Sequence, residues 1–179
     1  MTRHRRAWPL AVAAVAALAL AGCAATVRSY VERGADFSRY RTYGWGPADT
    51  FATGDPRLDS NTFFRDRLQA AANAQLAARG YEQSAPDSAA LLLHYHVSIT
   101  QRLDVNEIDR KYGYCDDCQP SAYDAGTLTL DLVDARTGRL VWRGWAERSI
   151  ERVLEKQEWM EQEIDEAVVR ILARLPRRL

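Results

Sequence analysis

The stretch Leu-Leu-Leu-His-Tyr-His-Val-Ser-Ile-Thr-Gln-Arg-Leu at positions 91–103 decides the fold. Leu91, Leu93, Tyr95, Val97, Ile99 and Leu103 fall on one face. Leu92, His94, His96, Ser98, Thr100 and Arg102 fall on the other. Successive side chains of a strand point to opposite faces, so this period of two predicts a strand with one buried and one polar face. Downstream, residues 127–133 alternate in the same way, with Leu128, Leu130 and Leu132 inward. Asp134-Ala135-Arg136-Thr137-Gly138 reads as a tight hairpin connection, with Gly138 at a left-handed position. Residues 139–148 return as a strand, with Leu140, Trp142 and Ala146 inward. Upstream, 27–31 and 41–45 read as two short strands, the second stopped by Gly46-Pro47. A long loop is expected over 104–125.

Two segments carry a helical period instead. Over 57–79, Phe64, Leu68, Ala71, Ala72 and Leu76 form an apolar stripe, with Gly80 as the stop. Over 151–175, Met160, Ile164, Ala167, Val168, Ile171, Leu172 and Leu175 form a second. Glu155, Glu158, Glu161, Glu163 and Asp165 load its first half and Arg170 and Arg174 lie near its end, which suits the helix dipole. The order β-β-α-β-β-β-α implies an α+β two-layer sandwich. Its sheet is largely antiparallel, of about five strands, with both helices on one face.

The chain has 179 residues, 47% apolar, with 24 basic and 24 acidic side chains. That apolar content excludes a wholly disordered chain. The charge balance excludes binding of nucleic acid through bulk positive charge. The first residues change the arithmetic. Arg3, Arg5 and Arg6 precede an unbroken apolar run over 9–21. This is a secretory signal pattern, and about 13 residues fall short of the ~20 needed to span a bilayer. The run ends Leu20-Ala21-Gly22-Cys23, which resembles the bacterial lipobox. The resemblance implies removal of 1–22, a diacylglycerol on Cys23, and a single domain over 23–179. Ala24, rather than Asp, resembles lipoproteins sorted to the outer membrane, with inner-membrane retention as the alternative. The expected protein is therefore lipid-anchored and faces the periplasm. Loss of three arginines leaves 21 basic against 24 acidic residues. The tether to the first strand is short, which sets the domain against the headgroups.

Several motifs together carry a family resemblance. They are Asp36-Phe37-Ser38 with 41–45, Leu76-Ala77-Ala78-Arg79-Gly80-Tyr81, and Pro86-Asp87 with Leu92-Leu93-His94-Tyr95. To these are added Leu130-Asp131-Leu132-Val133-Asp134, Thr137-Gly138, and Val141-Trp142-Arg143-Gly144-Trp145-Ala146. The pattern resembles the bacterial lipoprotein group known as domain of unknown function 4136, over most of 26–176. The resemblance implies a cell-envelope lipoprotein with no assigned reaction, and so no catalytic residue.

Three constellations remain for chemistry. Cys115 and Cys118 are three apart, and in an oxidising envelope such a pair closes a small disulfide ring. The alternatives are a thiol-redox role, disfavoured by the intervening Asp116 and Asp117, and a metal site shared with His94 and His96. No dedicated metal set is expected. Asp104-x-Asn106 opens like a calcium loop, but Asp109 stands where that loop needs Gly. There is no nucleophile elbow, P-loop or dinucleotide fingerprint, so no cofactor and no catalysis are expected. The polar sheet face, with His94, His96, Ser98, Thr127, Thr129, Asp131, Arg143, Trp145 and Glu147, is the candidate binding surface. Trp145 is its anchor, and Tyr112 and Tyr114 of the long loop join His94 and His96 as binding candidates. The expected function is a non-catalytic envelope module that binds an envelope protein partner or supports envelope structure. Second comes a metal or thiol-redox protein using Cys115 and Cys118. Third comes a small-ligand or lipid carrier, which needs an apolar pocket that sequence cannot reveal.

Overall fold

The computed structural model describes residues 25–47, 53, 55–59, 61–104, 121–150 and 153–177. Within them lie strands β1 (Thr26–Val31), β2 (Thr42–Trp45), β3 (Glu82–Gln83), β4 (Leu91–Asp104), β5 (Ser121–Asp134) and β6 (Leu140–Ser149). The helices are α1 (Thr62–Ala77) and α2 (Gln157–Leu172). One sheet orders the strands β1-β6-β5-β4-β2-β3. The pairs β1–β6, β6–β5 and β5–β4 are antiparallel. At the other edge, β2 runs parallel to both β4 and β3.

The α+β class stands, with two corrections. The sheet has six strands rather than about five, and one edge is parallel. The chain leaves β2, passes through α1 and returns as β3, a crossover that forces parallel pairing. A two-residue strand carries no periodic pattern, so nothing in Glu82-Gln83 announces it. The expected loop over 104–125 also shortens. Ser-Ala-Tyr-Asp-Ala-Gly at 121–126 has the composition of a loop, yet each residue is paired opposite β4, as Ser121 is to Asp104 and Gly126 to Ile99. Non-local backbone pairing overrides local propensity there.

Both helices cover one sheet face. Leu68, Ala72 and Leu76 of α1 and Ile164, Val168, Ile171 and Leu172 of α2 share a core with Leu91, Leu93, Leu130, Leu132 and Trp142. Each helix starts later than its pattern predicts. Residues 55–59 form a turn around Asp55, whose carboxylate accepts the Arg57 amide at 2.8 Å. Asn61 then caps α1 by accepting the Phe64 amide at 2.9 Å. A 3-10 turn at Val153–Glu155 delays α2 until Gln157.

Helix and strand differ in reach. The 14 residues of β4 or β5 span about 46 Å, against about 24 Å for a 16-residue helix. The helices therefore cannot cover the whole β4–β5 hairpin. Leu103, expected inward, is 59% exposed on its uncovered far end.

The family motifs meet at the β5–β6 turn. Asp134 accepts from the Thr137 amide at 2.8 Å and hydroxyl at 3.0 Å, and from the Tyr40 hydroxyl at 2.9 Å. Gly138 takes φ +67°, a left-handed conformation that side chains resist. On the far side of the core, Asn73 Oδ1 accepts from Tyr43 Oη at 2.9 Å and Trp45 Nε1 at 3.0 Å, tying β2 to α1.

Candidate functional site: the uncovered sheet face

The face opposite the helices is built by strand parity. Across it run two rows of Cα partners: His94–Asp131–Arg143–Tyr30 and His96–Thr129–Trp145–Arg28, each from β4 to β1. No described element packs over these rows.

At their centre Asp131 is 4% exposed, although it belongs to the polar face. Its neighbours on three strands bury it. A buried carboxylate needs partners, and it has them. Arg143 donates to it through Nε at 2.7 Å and Nη2 at 2.6 Å, a planar two-point pair. His96 Nε2 lies 3.3 Å from Asp131 Oδ2. That carboxylate pushes the Arg143 guanidinium further up, fixing it as a cation. Arg102 Nη2 and Glu147 Oε1 form a second pair at 3.0 Å. His94 is placed by sterics: a methyl at Gly46 would sit 2.2 Å from its ring, so the imidazole rests on bare backbone.

The structure thus brings together His94, His96 and Trp145 on this face. Cys23, Tyr112, Tyr114, Cys115 and Cys118 lie outside the described residues, as does the whole of 1–22. Among the described residues no cluster of three or more His, Cys, Asp or Glu side chains is arranged to hold a metal ion. No described helix is long and apolar enough to cross a membrane.

Sequence reasoning missed two members of the face. Arg28 and Tyr30 alternate with Val27, Ser29 and Val31, and their parity was visible. What was hidden is that β1 pairs with β6, which puts Arg28 beside Trp145 and Tyr30 beside Arg143. Tyr30 is half exposed, and its hydroxyl donates to Glu32.

A second feature lies inside the sandwich, where the helix cover runs out. An almost wholly apolar cavity of about 80 Å³ opens between the sheet and the first half of α2. Arg148 and Glu163 stand at its wall, paired at 2.7 Å. Burial pushes the Glu163 carboxyl up, against the opposing pull of Arg148.

The sequence profile of the family described as Domain of unknown function (DUF4136) matches residues 27–177. The chain belongs to this family. No curated protein matches the sequence. Among solved structures, a PelC dodecamer from Paraburkholderia phytofirmans is similar at 17% identity and TM-score 0.51, over 87% of this chain and 99% of that one. A PDZ domain protein from Parabacteroides distasonis is similar at 12% identity and TM-score 0.55, over 86% of this chain. The DUF4136 chain spans only 36% of that protein's length. A DUF4136 family protein from Bacteroides thetaiotaomicron aligns at 13% identity and TM-score 0.43, over 80% of this chain and 98% of that one. At these identities the likeness to the PelC and PDZ domain proteins shows a shared fold and nothing further.

Proposed function

We propose that this DUF4136 chain is a lipid-anchored, periplasm-facing envelope module that binds a protein partner through its uncovered sheet face and catalyses no reaction. One observation carries the reading. A face left bare by both helices holds a two-point ion pair between the buried Asp131 and the half-exposed Arg143, flanked by Trp145, Arg28 and Tyr30. Tryptophan, tyrosine and arginine are the side chains that dominate protein recognition energies. Charges held in such a pair also bind at little ordering cost. The anchor rests on the lipobox at 20–23, and the outer membrane on Ala24.

Cross-linking mass spectrometry on intact envelopes tests the binding role. A reproducible partner is expected with the wild type and is lost with Trp145→Ala and Arg28→Glu. Equal cross-linking by both variants overturns the face. Labelling with a palmitate analogue tests the anchor separately, since a Cys23→Ser variant that still takes up label defeats it.

A second reading, self-association, has its own observation. Among the described residues no strand pairs with the outer edge of β1, and Tyr30 and Val31 on it are 45% and 42% exposed. Free edges are templates for pairing with another chain. A mass from light scattering above one chain, reduced by Val31→Lys, supports that reading. A monomer at every concentration removes it.

A further inference from the structure

The cavity between sheet and helices has a lining that selects its occupant. Val97 and Ile99 of β4, Leu128 of β5, Ala146 of β6 and Ile164 of α2 make an apolar trough. Its volume of about 80 Å³ is roughly half that of an apolar cavity that takes up a benzene ring. It suits a few carbons of a narrow linear chain and excludes a ring. Among the described residues its one cation is already engaged, since Arg148 Nη1 pairs with Glu163 at 2.7 Å and Glu166 at 3.4 Å. A free fatty acid would find no partner for its carboxylate there, and burying one unpaired is costly. The occupant is therefore a chain whose polar end is held elsewhere.

Ala25 also lines the cavity. Cys23 precedes it by two residues, and two residues extend at most about 7 Å. An acyl chain on Cys23 is longer than that gap. We infer that one acyl chain carried by Cys23 seats its end in this cavity, packed between β4–β5–β6 and α2. The inference rests on the lipidation reading above. It assigns that lipid a second role: besides anchoring in the bilayer, one chain clips the domain in a set orientation at the membrane surface.

The test compares the full-length product with Cys23→Ser in the same detergent, by intact mass and amide hydrogen exchange. Intact mass settles the lipid alone; a wild type without the added acyl mass has no occupant, and the inference falls with the lipidation reading. With the lipid present, amides of 125–128 and 160–167 are expected to exchange several-fold more slowly in the wild type than in Cys23→Ser. Equal exchange with the lipid present overturns the seat while leaving the anchor intact. Slow exchange in both proteins means that a detergent chain fills the cavity, which also overturns a tethered occupant. The filling variant Ala167→Leu should keep the acyl mass and lose the difference, and Val97→Leu supplies a second filling variant should the first fail to fold.

Discussion

Asp134 receives three hydrogen bonds at the β5–β6 turn, two from Thr137 and one from Tyr40. Burial pushes its carboxyl up, but the amide and hydroxyl donors outweigh burial and hold it below the ordinary carboxylate range. A depressed carboxyl adds stability that is present above the unfolded value near 4 and is lost as pH falls through the folded value. Asp134→Asn should therefore be less stable than wild type at pH 7, with the gap narrowing towards pH 3. Urea midpoints at the two values check this. Asp131 is buried on the sheet face rather than at a turn. Arg143→Ala removes the two-point partner of its carboxylate and should cost about 1 kcal/mol, because the guanidinium is itself partly solvated. Denaturant titration measures it. Sequence parity placed both aspartates, Asp131 on the polar face and Asp134 at the turn. Burial of Asp131 depends on the neighbours that β4 and β6 bring beside it, and those are set by pairing.

At the scale of elements, the amphipathic stripes were readable because they are local. Leu68, Ala72 and Leu76 repeat at helical spacing, and Leu128, Leu130 and Leu132 at strand spacing, and the core contains them all. Leu130→Ala removes a fully buried side chain between sheet and helices and should cost about 2–5 kcal/mol by the cavity it leaves. Element starts were less legible. Arg57 looked helical, yet Asp55 captures its amide and guanidinium and holds the segment as a turn. Asn61 then takes over as the cap, and Asn61→Ala should cost about 1 kcal/mol, read by thermal unfolding. The strand content of 121–126 was invisible for the reverse reason: its residues, Tyr123 apart, are poor strand formers that β4 pairs regardless.

At the scale of the molecule, the decisive quantity is a mismatch of lengths. Strands rise more than twice as far per residue as helices. Two 16-residue helices therefore leave the far part of a hairpin of two 14-residue strands bare and an apolar cavity where their cover ends. Arg67 bridges the helices by pairing with Glu161 at 2.5 Å and with Asp165. Exposed pairs of this kind are screened by salt. Arg67→Ala should shift the thermal midpoint little, and the shift should shrink as salt is raised.

The chain by itself determined most of the inward-facing stripes, though not Leu103 or Leu140, that two helices cover one side of a sheet, and that the motifs of one family run through it. Those features depend on period and composition, which are local. Only the tertiary structure decided that β1 pairs with β6, that Glu82-Gln83 adds a parallel edge, that Asp131 is buried between Arg143 and His96, and that Ala25 lines a cavity. Each of these depends on which distant backbone supplies hydrogen bonds and on how far a helix reaches along a strand. Neither is encoded in the spacing of residues along one segment.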